Sequence, residues 1–145
     1  MQILPRLLTG ICVIIIATGG AGCSEQTTNP GSDVEPTFSS ISQKIFATSC
    51  ATSSCHGVLG QRGGLVLEGE NAYSNLVNAT PTTLAAVEKG MKLVVPGKPD
   101  SSFLLRKLTG PDAIEGERMP SSNEALSSQQ IEAIRTWIAN GAKHD

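Results

Sequence analysis

The feature that most constrains this chain is a pair of cysteines in the segment CATSSCHG, residues 50–57. Four residues separate Cys50 from Cys55, and His56 follows the second cysteine directly. If both sulfur atoms and the imidazole bind one group, the loop between them must close on that group. We therefore expect the rest of the fold to be a scaffold built around residues 50–57.

Two cysteines followed at once by a histidine are the arrangement that attaches a c-type haem. The cysteines form thioethers with the porphyrin, and the histidine takes one position on the iron. The usual spacing places two residues between the cysteines, so this chain carries a lengthened variant of the motif. By its adjacency to Cys55, His56 is the candidate for the proximal iron ligand.

A haem iron that carries electrons without binding substrate needs a second axial ligand from elsewhere in the chain. The downstream candidates are Met91, Met119 and His144. Met119 is favoured because it stands in a polar loop next to Pro120, where a purely apolar role is least natural. Met91 is expected to pack in the core, and His144 is expected to lie in a frayed, solvated tail beyond the last helix.

Length and charge limit the possible classes of function. The 145 residues suffice for one domain, and a net charge of −2 without a basic block argues against nucleic acid as a partner. There are only three Phe, one Tyr and one Trp, so a buried porphyrin would add apolar bulk that the side chains lack. No G-x-S-x-G elbow is present, and the chain is predicted not to be an enzyme.

The amino-terminal segment predicts export. Arg6 precedes an apolar run over residues 7–17, and the segment closes on Gly-Ala-Gly-Cys at Cys23. This ending resembles the lipobox of bacterial lipoproteins, in which the cysteine is lipidated. Residues 1–22 are thus predicted to be a lipoprotein-type signal peptide, with an ordinary signal peptide as the alternative. The protein is expected on the periplasmic side of a bacterial membrane, held there by a lipid anchor on Cys23.

Residues 23–36 are predicted to be a flexible linker, and residues 37–145 a single domain. Helical spacing of apolar residues predicts a first helix over residues 37–49, capped by Thr37 or Ser39. Shorter helices are predicted over residues 71–77 and 81–90, and another from an Asp100 cap to Leu108. Residues 112–123 are predicted to be a polar loop with Ile114 and Met119 as its apolar anchors.

The last helix has the strongest signals. Ser127 and Gln130 form a capping box, Leu126 and Ile131 are spaced as a hydrophobic staple, and Gly141 marks the end. We expect its apolar stripe, which includes Trp137, to pack against the first helix. The predicted fold class is therefore all-α, a small helical domain with irregular loops.

From residue 38 to residue 142 the chain resembles the cytochrome c-like domains first recognised in planctomycete proteins and common in exported bacterial proteins. The resemblance rests on short pieces that follow one another in order: Ile45-Phe46, Cys55-His56-Gly57, Gly63-Gly64-Leu65-Val66-Leu67, the segment VPGKPDSSFL at residues 95–104, Arg118-Met119-Pro120, and residues 134–142 with Trp137-Ile138.

The resemblance implies a cytochrome c-like fold with one covalent haem c on Cys50 and Cys55, and with His56 and Met119 as axial ligands. It also implies a proline carbonyl that orients the ligand histidine, for which Pro96 is the candidate. The implied function is one-electron transfer with redox partner proteins of the cell envelope.

Two other readings of the residues remain open. In an oxidising compartment Cys50 and Cys55 could close a disulfide, which would make the chain a haem-free structural or interaction module anchored to the envelope. Alternatively, Cys50, Cys55 and His56 could bind zinc with His144 as a fourth ligand. The adjacency of Cys55 and His56 argues against zinc, since neighbouring side chains do not easily point at one small ion.

Overall fold

A computed structural model describes residues 33–121 and 124–145. Helical conformations cover 46% of these residues, and the all-α prediction is confirmed at this level. The α-helices are α1 (Phe38–Ile41), α2 (Ala72–Leu76), α3 (Leu84–Glu88), α4 (Phe103–Thr109) and α5 (Ser128–Ala139). A π-helix spans Ser42–Cys50, and 3-10 turns span Arg62–Gly64, Pro99–Ser101 and Ala113–Glu115. The predicted signal peptide, Cys23 and most of the predicted linker lie outside the described residues.

The first helix extends as predicted but changes type along its length. The Thr37 hydroxyl accepts a hydrogen bond from the Ser40 N–H at 3.3 Å, which confirms Thr37 as the N-cap. After Ile41 the helix widens into the π-helix and ends at Cys50. The Thr48 hydroxyl donates to the Lys44 carbonyl at 2.8 Å, and such a side-chain bond competes with the regular backbone pattern.

One apolar core joins the two ends of the domain. Ile41, Ile45, Trp137 and Ile138 are each at most 1% exposed and belong to a single cluster. α1 packs against α5 as expected, and the Phe38 and Trp137 ring centroids lie 5.7 Å apart. This packing places the end of the π-helix, and with it Cys50, next to the core.

The carboxyl-terminal tail is attached to the domain, contrary to the expectation of a frayed end. The Ser39 N–H donates to the Asp145 carbonyl at 3.0 Å, and the Tyr73 hydroxyl donates to the Ala142 carbonyl at 2.8 Å. His144 stacks on the Tyr73 ring with a centroid distance of 4.3 Å. The tail is ordered because aromatic rings and backbone donors of α1 and α2 lie within its reach.

The predicted cap of α4 was wrong. The helix begins at Phe103, and its N-cap position is Ser102, whereas Asp100 lies in the preceding 3-10 turn. The Asp100 carboxylate instead accepts a hydrogen bond from Arg135 of α5 at 2.6 Å. The carboxylate therefore joins two elements that are far apart in the sequence, which a local cap signal does not reveal.

The predicted anchor Ile114 was also wrong. Its side chain is 70% exposed, while the neighbouring Glu115 is 1% exposed. α3 is shorter than predicted, and Leu84 and Val87 on it are exposed. Within the described residues, β-type backbone pairing is limited to two isolated bridges, Val77 with Val94 and Lys92 with Ser102.

None of the helices in residues 33–121 and 124–145 is long and apolar enough to cross a membrane. Of the residues predicted as linker, Val34 packs against the core cluster.

Candidate functional site

A cavity of about 400 Å³ opens beside the end of the π-helix. Its walls are largely apolar and include Phe46, Leu67, Phe103 and Leu108. This volume lies within the range of about 300–1,000 Å³ that is typical of small-molecule and cofactor sites. α4 forms one wall, and residues 62–67 cover another.

The cavity brings together residues that the sequence places far apart. Cys50, His56 and Met119 all line it. Of the three candidates for a distal ligand, Met119 alone is among the lining residues, whereas Met91 and His144 are not. Cys55 does not line the cavity, although it directly precedes His56. The structure thus places three of the four predicted haem residues on one surface.

Backbone hydrogen bonds hold residues 50–57 in a closed loop. The His56 N–H donates to the Cys50 carbonyl at 3.1 Å, and the Leu67 N–H donates to the His56 carbonyl at 2.7 Å. The Arg62 N–H donates to the Cys55 carbonyl at 2.9 Å. The four residues between the cysteines therefore form a compact turn that returns the chain to the end of the π-helix.

Two glycines are required for this closure. A Cβ added at Gly57 would lie 2.8 Å from the Ala51 carbonyl oxygen. One added at Gly60 would lie 2.5 Å from the Cys55 carbonyl oxygen and 2.7 Å from its nitrogen. All three distances are far below van der Waals contact, and the obstructing atoms are backbone. Only glycine allows the chain to pass this closely behind the motif.

The imidazole of His56 is oriented by a backbone carbonyl that the sequence prediction missed. Its Nδ1 lies 3.3 Å from the Leu65 carbonyl oxygen. The expectation that Pro96 would supply this carbonyl was wrong. Gly63 and Gly64 both have positive φ, which turns residues 62–65 back toward His56. A glycine pair shortly after the histidine is the signal that could have indicated this contact.

The environment of Cys50 disfavours its thiolate. Burial, and to a smaller extent the neighbouring Cys55, raises the pKa of Cys50 to about 11. A thiol with this pKa is almost entirely protonated at neutral pH, and a bound metal would have to displace that proton.

The zinc reading receives no geometric support. His144, its fourth ligand, packs against Tyr73 and Phe38. Across the part of the chain that the structure describes, no three side chains of His, Cys, Asp or Glu are grouped to hold a metal ion. Methionine is not one of these four residue types, so this absence does not bear on a site that combines the His56 imidazole with the Met119 thioether.

Charge at the cavity is positive. Arg62 and Lys107 are the charged residues that line it among the described residues. The Arg62 Nε donates to the Ser54 carbonyl at 2.8 Å, and the Lys107 Nζ donates to the Glu115 carbonyl at 3.1 Å. Burial lowers the pKa of Lys107. An apolar cavity with two cationic residues at its walls suits a flat apolar group that carries negative substituents.

Met119 reaches the cavity from residues 110–121, which we call the Met119 loop. Its N–H donates to the carbonyl of Lys107 in α4 at 2.7 Å. The side chain is half-buried and packs against the core cluster. The loop is therefore fixed to α4 at the residue that faces the cavity.

No protein-family model, no curated protein and no solved structure matches this chain.

Proposed function

We propose that this protein is an exported c-type cytochrome with a cytochrome c-like fold. It holds one haem covalently through Cys50 and Cys55, with His56 and Met119 as axial iron ligands. It transfers single electrons between redox partner proteins of the cell envelope and is not an enzyme. In this proposal residues 1–22 direct export, and a lipid on Cys23 anchors the domain to the periplasmic side of a bacterial membrane.

The observation that carries the proposal is the meeting of Cys50, His56 and Met119 at one apolar cavity. The sequence motif gives a reason to expect Cys50 and His56 together, but it does not bring Met119 to them. The fold supplies a thioether donor at the same cavity as the imidazole. Imidazole and thioether together are the axial ligand pair found in cytochromes c.

The residues of the cavity fit a haem in chemical character. The walls that include Phe46 and Phe103 would contact the porphyrin faces and exclude water. Arg62 and Lys107 would place positive charge near the two porphyrin carboxylates. The porphyrin would also add the apolar bulk that a domain with few aromatic side chains lacks.

When bound, the haem supplies an iron that alternates between the ferrous and ferric states. His56 donates its Nδ1 proton to the Leu65 carbonyl, 3.3 Å away, which leaves the Nε2 lone pair available to a metal. Met119 provides a neutral sulfur, which raises the reduction potential. Apolar walls around both side chains keep water from competing with them.

The proposal is tested by a pyridine haemochrome spectrum of the full chain, purified from a host that matures c-type cytochromes in the periplasm. Cys50→Ala and Cys55→Ala are compared with the unmodified chain. We expect the absorption of covalently attached haem, shifted in each variant because one thioether is missing. Each variant should be checked by mass spectrometry for the mass of one haem.

A colourless protein would overturn the proposal, provided that a known cytochrome acquires haem in the same cells. Cys50 and Cys55 lie close enough for one to raise the pKa of the other. If the protein is colourless, a mass lower than that of the reduced chain by two hydrogen atoms would favour the disulfide-closed structural module.

A further inference from the structure

Glu115 is a buried charged residue with no role in the proposed haem attachment. Its side chain is inaccessible to solvent, and it lies in the 3-10 turn Ala113–Glu115 of the Met119 loop. A buried carboxylate is retained at low cost only when it is paired and fully hydrogen-bonded. The partners of Glu115 therefore indicate which elements the Met119 loop is attached to.

The Glu115 carboxylate accepts hydrogen bonds from two cationic side chains, one in α4 and one directly after α3. Arg106 of α4 donates from Nε at 3.1 Å and from Nη2 at 2.8 Å, a two-point contact. Lys89, which follows α3, donates from Nζ at 2.7 Å. Asp112 accepts from the same Arg106 at 2.9 Å. A paired guanidinium and carboxylate fix orientation as well as distance, so the turn is locked onto both helices.

The same loop is bonded to α4 at Met119. The Lys107 Nζ donates to the carbonyls of Glu115 and Glu117, and the Lys107 carbonyl accepts the N–H of Met119 at 2.7 Å. Lys107 and Met119 both line the cavity. A short, continuous set of hydrogen bonds therefore connects the charged contacts of Glu115 with the backbone of Met119.

We propose that Glu115 is a positioning residue: with Arg106 and Lys89 it fixes the Met119 loop on α4 and so holds the Met119 sulfur at the cavity. The inference rests on the proposed function for the role of that sulfur. The attachment of the loop itself does not depend on haem.

The test compares the full chain with Glu115→Gln and Arg106→Lys. Glutamine keeps the shape and removes the charge, while Arg106 and Lys89 remain 35% and 42% exposed and so stay solvated. Amide hydrogen exchange is measured at Met119, and at Leu67 as an internal control on the opposite side of the cavity. We expect exchange at Met119 to rise about tenfold or more in Glu115→Gln, and less in Arg106→Lys.

The second readout is imidazole binding to the ferric haem protein. Imidazole competes with Met119 for the iron, so a loosened loop should increase the apparent affinity for imidazole by about tenfold in Glu115→Gln. Asp100→Asn is the matched control, because it removes an exposed carboxylate that pairs with Arg135 of α5 and not with a residue of the Met119 loop. Its imidazole affinity should equal that of the unmodified chain.

Unchanged exchange at Met119 in a folded Glu115→Gln variant would overturn the proposal. Equal increases at Met119 and Leu67 would also overturn it, because they would indicate a general loss of stability. If the chain carries no haem, the proposed function fails, but the exchange data still decide whether Glu115 holds the loop. A loosened loop with unchanged imidazole affinity would refute the role of Glu115 in ligation.

Discussion

The two sides of the cavity are held in place by different kinds of interaction. On the His56 side, residues 50–67 are closed mainly by backbone hydrogen bonds and by Gly57 and Gly60, which pass close to the backbone of residues 51–55. On the Met119 side, the loop is attached to α4 through charged side chains around Glu115. The first arrangement depends on shape and the second on charge, so the two sides should respond differently to substitution and to pH.

The largest expected effect is on the His56 side, from Gly60→Ala. The added methyl group would meet the backbone of Cys55 at 2.5 Å, so the loop has to open, and we expect the free energy of unfolding to fall by about 2–3 kcal/mol. The matched change in the Met119 loop is Gly116→Ala, where the nearest atom is the flexible Lys107 Nζ at 3.4 Å. Its backbone, at φ 83° and ψ −171°, lies in a region that is almost exclusive to glycine, so alanine there costs about 1–3 kcal/mol from backbone strain alone.

Urea unfolding of both variants measures this difference. A loss at Gly60→Ala of less than about 1 kcal/mol would contradict the view that close backbone packing closes the His56 side.

Acid should loosen the Met119 side first. The hydrogen bond from Lys89, together with Arg106, lowers the pKa of Glu115 from its ordinary value of 4.5. As pH falls, the Glu115 carboxylate is protonated in the unfolded chain before it is protonated in the folded chain. The stabilisation by its ion pairs is therefore complete above about pH 4.5 and is lost as pH falls further, through the lowered pKa of the folded state. Asp112 accepts a hydrogen bond from the same Arg106, and Lys107 donates to the Glu115 carbonyl, so both residues lie beside this carboxylate.

The measurement is the protection factor of the Met119 amide relative to that of Leu67, followed from neutral pH into the acid range. We expect protection at Met119 to decline before protection at Leu67. A simultaneous decline of both would mean that the two sides open together, and the distinction between them would not hold.

The smallest expected effect is from Glu68→Ala on the His56 side. The Glu68 carboxylate accepts the Val58 N–H at 3.0 Å in an exposed position, and a hydrogen bond of this kind contributes about 1 kcal/mol or less. Thermal unfolding should shift only slightly, and exchange at Leu67 should stay unchanged. A marked loss of protection at Leu67 would show that the His56 side relies on the Glu68 carboxylate as well as on its backbone packing.

Local signals predicted several elements correctly. The capping box of Ser127 and Gln130 is present, with both reciprocal hydrogen bonds, and Thr37 caps α1. These interactions join residues only three positions apart, so their partners can be read from the sequence directly. The motif of Cys50, Cys55 and His56 belongs to the same kind of short-range information.

The tertiary structure decided the contacts between distant residues. The sequence suggested Ile114 as the anchor of the Met119 loop, but Glu115 is buried there because Arg106 and Lys89 converge on it from two helices. Asp100 pairs with Arg135 in place of capping α4. The carbonyl of Leu65 orients His56 where Pro96 was expected. Each of these contacts depends on how the elements pack together, which a local sequence pattern does not reveal.

The sequence alone therefore determined the helical class, the best-capped helix and the residues that we propose hold a haem. Only the tertiary structure decided that Cys50, His56 and Met119 face one cavity, and that a buried carboxylate holds the loop that carries Met119. The physical reason is that propensity and capping act within a turn or two of the chain. The position of a side chain across a cavity is set instead by the packing and charge of all the elements around it.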